Sequence, residues 1–270
     1  MKNYVVLDKK VGETPLSCAE AWRAEHPEYA GVPLAYAGRL DPMASGKLLV
    51  LIGDECKNQT NYHDLDKEYE FSILFGIESD SLDVLGRLKI CNSHTTPTKP
   101  EIEEVLSGFT GDITLPYPKF SAKTVQGKPL HMWTLEGKLN EIEIPTKDSI
   151  IYKLELNTIE SISKEDLVTK ALDKINSIPE VTDPRKALGN DFRRVDVRKD
   201  WQDISEDASL PETFSIAHLT CTASSGTYMR TLASEIAKKL HTCGLAWHIH
   251  RSQIGTFNPK TELWESVFND

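Results

Sequence analysis

Two periods of apolar residues run through the chain, one for strands and one for helices. Over residues 67–75, Tyr69, Phe71, Ile73 and Phe75 alternate with Glu68, Glu70, Ser72 and Leu74, the two-residue period of a strand with one buried face. Residues 4–7 and 215–222 read the same way, and residues 48–52 form an unbroken apolar run that suits a buried strand or a helix. A period near 3.6 appears elsewhere. Ala19, Ala21, Trp22 and Ala24 predict a helix over 17–26 that stops before Pro27. Thr98 and Glu101 have capping-box spacing ahead of Ile102, Val105, Leu106 and Phe109. Ser163 and Asp166 open a further helix, striped by Leu167, Val168, Ala171, Leu172 and Ile175. After 215–222 a turn through Gly226 leads into a helix that runs to about residue 241.

Composition changes this picture only in part. A chain of 270 residues suffices for one large catalytic domain or two small ones. It has no apolar run of the roughly 18 residues a bilayer span requires, and its N-terminus turns polar too soon for a signal peptide, so a cytoplasmic protein is expected. The five cysteines, Cys18, Cys56, Cys91, Cys221 and Cys243, lack paired spacing and read as core or surface thiols. With 31 Lys and Arg against 41 Asp and Glu the formal charge is −10, which argues against gripping nucleic acid over the whole surface. Between residues 218 and 260, however, Arg230, Lys238, Lys239, Arg251 and Lys260 meet only Glu235, so a basic face can exist within an acidic whole.

Candidate chemistry centres on residues 36–50. Asp41 stands between Gly38 and Gly46, which permit positive φ or close approach, and next to Pro42, which fixes φ. Its carboxylate is either a helix cap or a functional group. Tyr69 is a core tyrosine or an inward-facing ring at a site. Asp80 and Asp83 lie in a loop between Gly76 and Gly86 that lacks the glutamate of a calcium loop and reads as an acceptor of backbone hydrogen bonds. The loop over 116–131, with Lys119, Lys123, Lys128 and aromatic rings, is a phosphate-and-base surface or a solvated basic turn. Arg230 falls in the first turn of its helix, placed to pair with a carboxylate or exposed to water. His241, Cys243, His248 and His250 match no common zinc spacing, and no metal site is expected. Residues 183–209, with Arg193, Arg194, Arg198, Lys199 and Trp201, read as an inserted subdomain, an arm touching RNA, or a charged helix in solvent, the last being preferred.

Gly38-x-Leu40-Asp41-Pro42-x-Ala44-x-Gly46-x-Leu48 closely resembles, at seven defined positions, the signature of the TruB-type tRNA pseudouridine synthases. Further segments resemble the same family in the same order. They are Lys67-x-Tyr69, the loop from Gly76 to Gly86 with serine at both threonine positions, and Pro118 to His131 with its lysine displaced by one. The turn Ser224-Ser225-Gly226-Thr227-Tyr228-Met229-Arg230 and the closing His250-Arg251 to Phe257 complete the set. The motifs cover residues 1 to about 150 and 215–258. Residues 152–214 are thereby expected to be a divergent or inserted segment of a catalytic domain over 1–258, with 259–270 a short tail and no PUA domain.

The resemblance implies an α+β fold, with a mixed, mostly antiparallel sheet flanked by helices. It also implies isomerisation of uridine to pseudouridine, most naturally at the T-loop uridine (position 55) of tRNA. Asp41 would be the nucleophile, Tyr69 would stack on the base, and Arg230 would hold Asp41 ionised through a two-point pair. Tyr36, Gly38, Arg39, Lys67, Lys123, Thr227, Tyr228, His250 and Arg251 would contact the RNA. No cofactor, metal or protein partner is implied, and a monomer acting on tRNA away from membranes is expected. Tyr36 stands where the family usually has histidine, and Arg39 replaces a small residue, so altered RNA contacts are expected. The alternatives are a catalytically impaired relative that binds or folds RNA, and a metal-dependent hydrolase using Asp80 and Asp83.

Overall fold

The computed structural model describes residues 3–91, 96–180 and 193–265. The chain begins with β1 (Tyr4–Lys9), α1 (Pro15–Glu25), β2 (Leu34–Ala37) and β3 (Ser45–Ile52), then a 3-10 helix (Gly53–Tyr62). Next come β4 (Asp66–Phe75), β5 (Ile77–Ser79), β6 (Leu88–Ile90), α2 (Lys99–Ser107) and β7 (Gly111–Pro116). A two-residue hairpin of β8 (Thr124–Val125) and β9 (Lys128–Pro129) runs into α3 (Leu130–Leu135). The long strand β10 (Thr146–Ser163) is followed by α4 (Lys164–Ser177), α5 (Arg194–Glu206), β11 (Thr213–Ala223), α6 (Met229–Lys239), β12 (Gly244–Asn258) and β13 (Leu263–Glu265).

The main sheet has the order β1-β3-β12-β4-β11-β10-β7, with β2 beside β3 and β13 beside β12. Its pairs are antiparallel except β3 with β12, which run parallel where His250 meets Ser45 and Arg251 meets Gly46. This is the α+β class with the mixed, mostly antiparallel sheet that the motifs imply.

The apolar run after Gly46 forms β3, and its two faces show why a strand results. Leu49 and Leu51 pack with Leu65, Ile254 and Tyr62 on one side, while Leu48 and Val50 pack with Cys18 and Ala19 of α1 on the other. In β4 the two-residue alternation fades beyond Glu70, because this strand is central and Phe71 to Phe75 are buried on both faces. Both capped helices form where expected. Thr98 and Glu101 make a reciprocal capping box on α2, and Ser163 caps α4 through the Asp166 amide.

The described parts of 152–214, residues 152–180 and 193–214, are built into the core. β10 pairs with β7 and β11, and α4 packs on both β10 and α5. The charged helix expected in solvent is α5, and it buries one side: Val197, Trp201 and Ile204 are within the main core. Trp201 lies 6.0 Å from the Trp247 ring and donates its indole N–H to the Val84 carbonyl at 3.1 Å. The sequence understated this burial because apolar residues at helical spacing are few among the charges. Residues 183–192 of that stretch lie outside the described residues.

A second correction concerns cysteine. Cys91 and Cys243 are joined as a disulfide with Cα atoms 6.0 Å apart, while Cys18, Cys56 and Cys221 are free. Both partners flank Gly76, whose amide donates to Cys243 O and whose carbonyl accepts from Cys91 N, and no sequence spacing reveals that adjacency.

Replacing Trp201 by alanine removes a fully buried indole from beneath the 80–88 loop and is expected to cost about 3–5 kcal/mol, measurable by urea unfolding.

Candidate active site

The Asp41 loop joins β2 to β3, so the element that follows Asp41 is a strand beginning at Ser45 and the helix-cap reading of Asp41 lapses. Close approach of β12 dictates the glycine. Gly46 has φ +102°, and a Cβ there would lie 2.3 Å from the Arg251 carbonyl oxygen and 2.7 Å from its nitrogen. That contact brings the Arg251 side chain behind the loop, where Nε donates to Lys47 O at 2.7 Å and Nη2 to Gly38 O at 3.1 Å. Lys9 Nζ donates to Ala44 O at 2.5 Å, and the Gly12 amide to Pro42 O at 2.9 Å. The backbone is thus fixed on several sides while the Asp41 side chain remains 40% exposed.

Arg230 meets that carboxylate from the first turn of α6. Its Nε donates to Asp41 Oδ2 at 2.8 Å. Nη1 donates to Ser81 O at 2.8 Å and Nη2 to Phe120 O at 3.2 Å. The expected two-point pair is therefore a one-point pair, because both terminal nitrogens are engaged by loop carbonyls. Arg230 is only 4% exposed, and Asp83 Oδ2 lies 3.7 Å from its Nε. Burial opposes charge on Arg230, yet the carboxylates of Asp41 and Asp83 outweigh it and hold the guanidinium above its ordinary pKa. Asp83 is pushed upward by burial, against the pull of Arg230 and hydrogen bonds from Ser81 Oγ at 2.6 Å and the Leu85 amide at 3.0 Å.

Asp41 and Arg230 form part of the wall of a cleft of about 1050 Å³. Tyr36, Gly38, Arg39, Lys67, Tyr69, Thr227, Tyr228 and Arg251 line the same cleft, so most residues singled out from sequence are brought together. Lys123 and His250 are not. Lys123 is exposed with its ammonium 4.9 Å from the centre of the Tyr117 ring. His250 alternates with the cleft-lining Ile249 and Arg251, so it faces the other side of β12, where Nδ1 bonds Ser45 Oγ at 3.0 Å. Gln59, His63, Phe120 and Ser225 also line the cleft and were missed. Gln59 has a role evident only in three dimensions, since it donates to Tyr36 O at 2.7 Å. For Asp83 the spacing within the Asp-rich loop was a usable signal.

Four cations, Arg39, Lys67, Arg230 and Arg251, line the cleft with Asp41, so this region is basic within an acidic chain. Asp80 and Asp83 are each committed to an arginine, and among the described residues no cluster of His, Cys, Asp and Glu fits a metal ion. No helix among the described residues is long and apolar enough to cross a membrane.

Residues 32–171 match the family described as TruB family pseudouridylate synthase, N-terminal domain. A "tRNA pseudouridine synthase B" of Caldicellulosiruptor saccharolyticus is 30% identical over 260 residues, covering 96% of this chain and 70% of the relative. One from Caldanaerobacter subterraneus is 40% identical over 125 residues, or 46% of this chain and 42% of the relative. The "tRNA pseudouridine synthase 4" of Saccharomyces cerevisiae is 27% identical over 88% of this chain and 67% of its own length. In fold the chain is similar to a solved Cbf5-Nop10-Gar1 complex, with TM-score 0.53 and 16% identity over 93% of this chain and 48% of that one.

Burial lowers Lys67 and Lys9 to about 8, and Lys174 to about 7, from an ordinary value of 10.5. Above pH 7 the unfolded chain then holds more protons on these lysines than the folded one, so stability rises with pH. Between pH 7 and 8.5 a gain on the order of 1–3 kcal/mol is expected in urea unfolding. Lys67→Met, which removes one of the three groups, reduces the slope.

Proposed function

The chain belongs to the TruB family of pseudouridylate synthases, and from that premise we propose that it isomerises uridine to pseudouridine in tRNA with Asp41 as nucleophile. The T-loop uridine at position 55 is the proposed target. The observation that carries the reading is the state of one carboxylate: Arg230 fixes Asp41 Oδ2 from the buried side, and the side chain is otherwise 40% open to the cleft.

The reaction breaks the bond between N1 of uracil and the sugar, turns the base, and joins its carbon 5 to the same sugar carbon. The hydrogen displaced from carbon 5 is lost as a proton, and N1 regains one. Asp41 attacks either the base at carbon 6 or the sugar at its anomeric carbon, and covalent capture divides a difficult exchange into smaller steps. Arg230 aims the carboxylate through the Nε bond to Oδ2 and sets a positive charge beside it. Tyr69 offers a ring against the extruded base, and Tyr36 a second stacking surface. Flipping the base costs a few kcal/mol, offset by such contacts. Arg39, Lys67 and Arg251 supply positive charge for the phosphates, with Arg251 also holding the loop backbone. Thr227 and Tyr228 extend this wall from the turn before α6. Lys123 is proposed as an outlying phosphate contact, and His250 carries no proposed role. A monomer acting on tRNA in the cytoplasm, built as one catalytic domain over 1–258 that includes the described residues 152–180 and 193–214, completes the reading.

Incubation with unmodified tRNA followed by mass-based mapping is expected to reveal pseudouridine with the native chain. Asp41→Asn should lose at least about 10³-fold in single-turnover rate while tRNA affinity stays within about threefold. Equal product from the two proteins, or none from the native chain, sinks the reading. Arg230→Lys, which keeps charge but loses the planar fork, should lose about 10²-fold in the same assay.

A further inference from the structure

We propose that Arg193, at the start of α5, is a positioning residue for Arg230 that acts through the two loops carrying its carbonyl acceptors. The inference rests on the catalytic reading above and adds to it a role for a segment that carries none of the sequence motifs.

Arg230 spends its terminal nitrogens on Ser81 O and Phe120 O. Those carbonyls belong to separate loops, one between β5 and β6 and the other between β7 and β8. Arg193 touches both. Its Nη1 and Nη2 bond the carboxylate of Asp80, the neighbour of Ser81, at 2.5 and 3.2 Å. The same guanidinium lies 4.3 Å from the centre of the Phe120 ring. One arginine therefore ties together the two carbonyls that hold the other.

The rest of α5 strengthens the tie. Asp200 accepts Arg87 Nε and Nη2 at 2.7 and 3.0 Å and the Leu88 amide at 3.0 Å. Trp201 reaches Val84 O in the same loop. The 80–88 loop is thus gripped at Asp80, Val84, Arg87 and Leu88 by a single helix. Arg193 itself has φ +67°, a backbone conformation disfavoured for a side chain of its size, and the Asp80 and Phe120 contacts hold it there.

A bidentate pair at 21% exposure of the arginine is not a freely solvated surface contact. Without it the loops relax independently, and the Nε direction toward Asp41 loosens. Displacements of about 1 Å at a reacting group cost up to ~10²-fold in rate.

The test compares native chain, Arg193→Ala, Arg193→Lys, Asp80→Asn and the Arg193→Ala/Asp80→Asn double variant, with Asp41→Asn as the inactive control. Single-turnover kcat, KM for tRNA, melting temperature and salt dependence are measured for each. Arg193→Ala is expected to lower kcat about 10- to 100-fold with KM within about threefold. Arg193→Lys, which restores the charge to Asp80 but not the guanidinium over the Phe120 ring, should recover part of the loss. Asp80→Asn should resemble Arg193→Ala, and the double variant should lose no more than the worse single. A native kcat in a folded Arg193→Ala overturns the proposal. So does a raised KM with a flatter salt slope at native kcat, which marks a phosphate contact. A native chain that makes no pseudouridine overturns the catalytic reading instead.

Discussion

A desolvated guanidinium organises this molecule. Arg230 is 4% exposed, and charge at that depth survives only if most of its donors are met. Its acceptors come from Asp41, Ser81 and Phe120, which stand 189, 149 and 110 residues away in sequence. The Asp-rich loop adds Asp83 at 3.7 Å. Three remote segments must therefore converge on α6 before Arg230 can be buried without loss. Folding and assembly of the candidate site are the same event, because a chain that failed to bring those acceptors together would leave a charge unpaired in its core.

The sheet makes that convergence possible. β3 carries the Asp41 loop at its start, and among the described residues it meets β12 in the one parallel pair of the main sheet. The chain gets there through Gly46, whose missing side chain lets Arg251 backbone approach to a distance no Cβ tolerates. Arg251 then returns along the loop to hold Gly38 and Lys47 by their carbonyls. Two arginines thus flank the loop in complementary ways. Arg251 fixes its backbone, and Arg230 fixes its side chain.

What was legible from sequence divides along physical lines. Local signals held where local physics decides. Thr98 and Glu101 cap α2, Ser163 caps α4, and Gly38 and Gly46 adopt the positive φ that their spacing around Asp41 suggested. Signals failed where burial depends on partners from elsewhere. Strand alternation around Ser72 gave no hint that a central strand would be covered on both faces. Trp201 looked like an isolated apolar residue in a charged helix until Trp247 and Val84 supplied its surroundings. His250 adjoins Arg251 in sequence, yet strand geometry sends the two side chains to opposite faces, so adjacency in a motif did not place both in the cleft.

Electrostatics decides how an acidic chain can offer a site for a polyanion. A formal charge of −10 is spread over 270 residues, and beyond about 10 Å water and salt screen most of it. Inside the cleft the local balance governs, and there Arg39, Lys67, Arg230 and Arg251 stand with Asp41. Burial brings Lys67 down to about 8, so it stays largely protonated at neutral pH but with less margin than a surface lysine. An anion drawn into the cleft lowers the cost of keeping that ammonium charged, so the ligand and the proton on Lys67 favour each other. The same anion repels the carboxylate of Asp41, and the Arg230 guanidinium, bonded to Oδ2 at 2.8 Å on the protein side, offsets that repulsion.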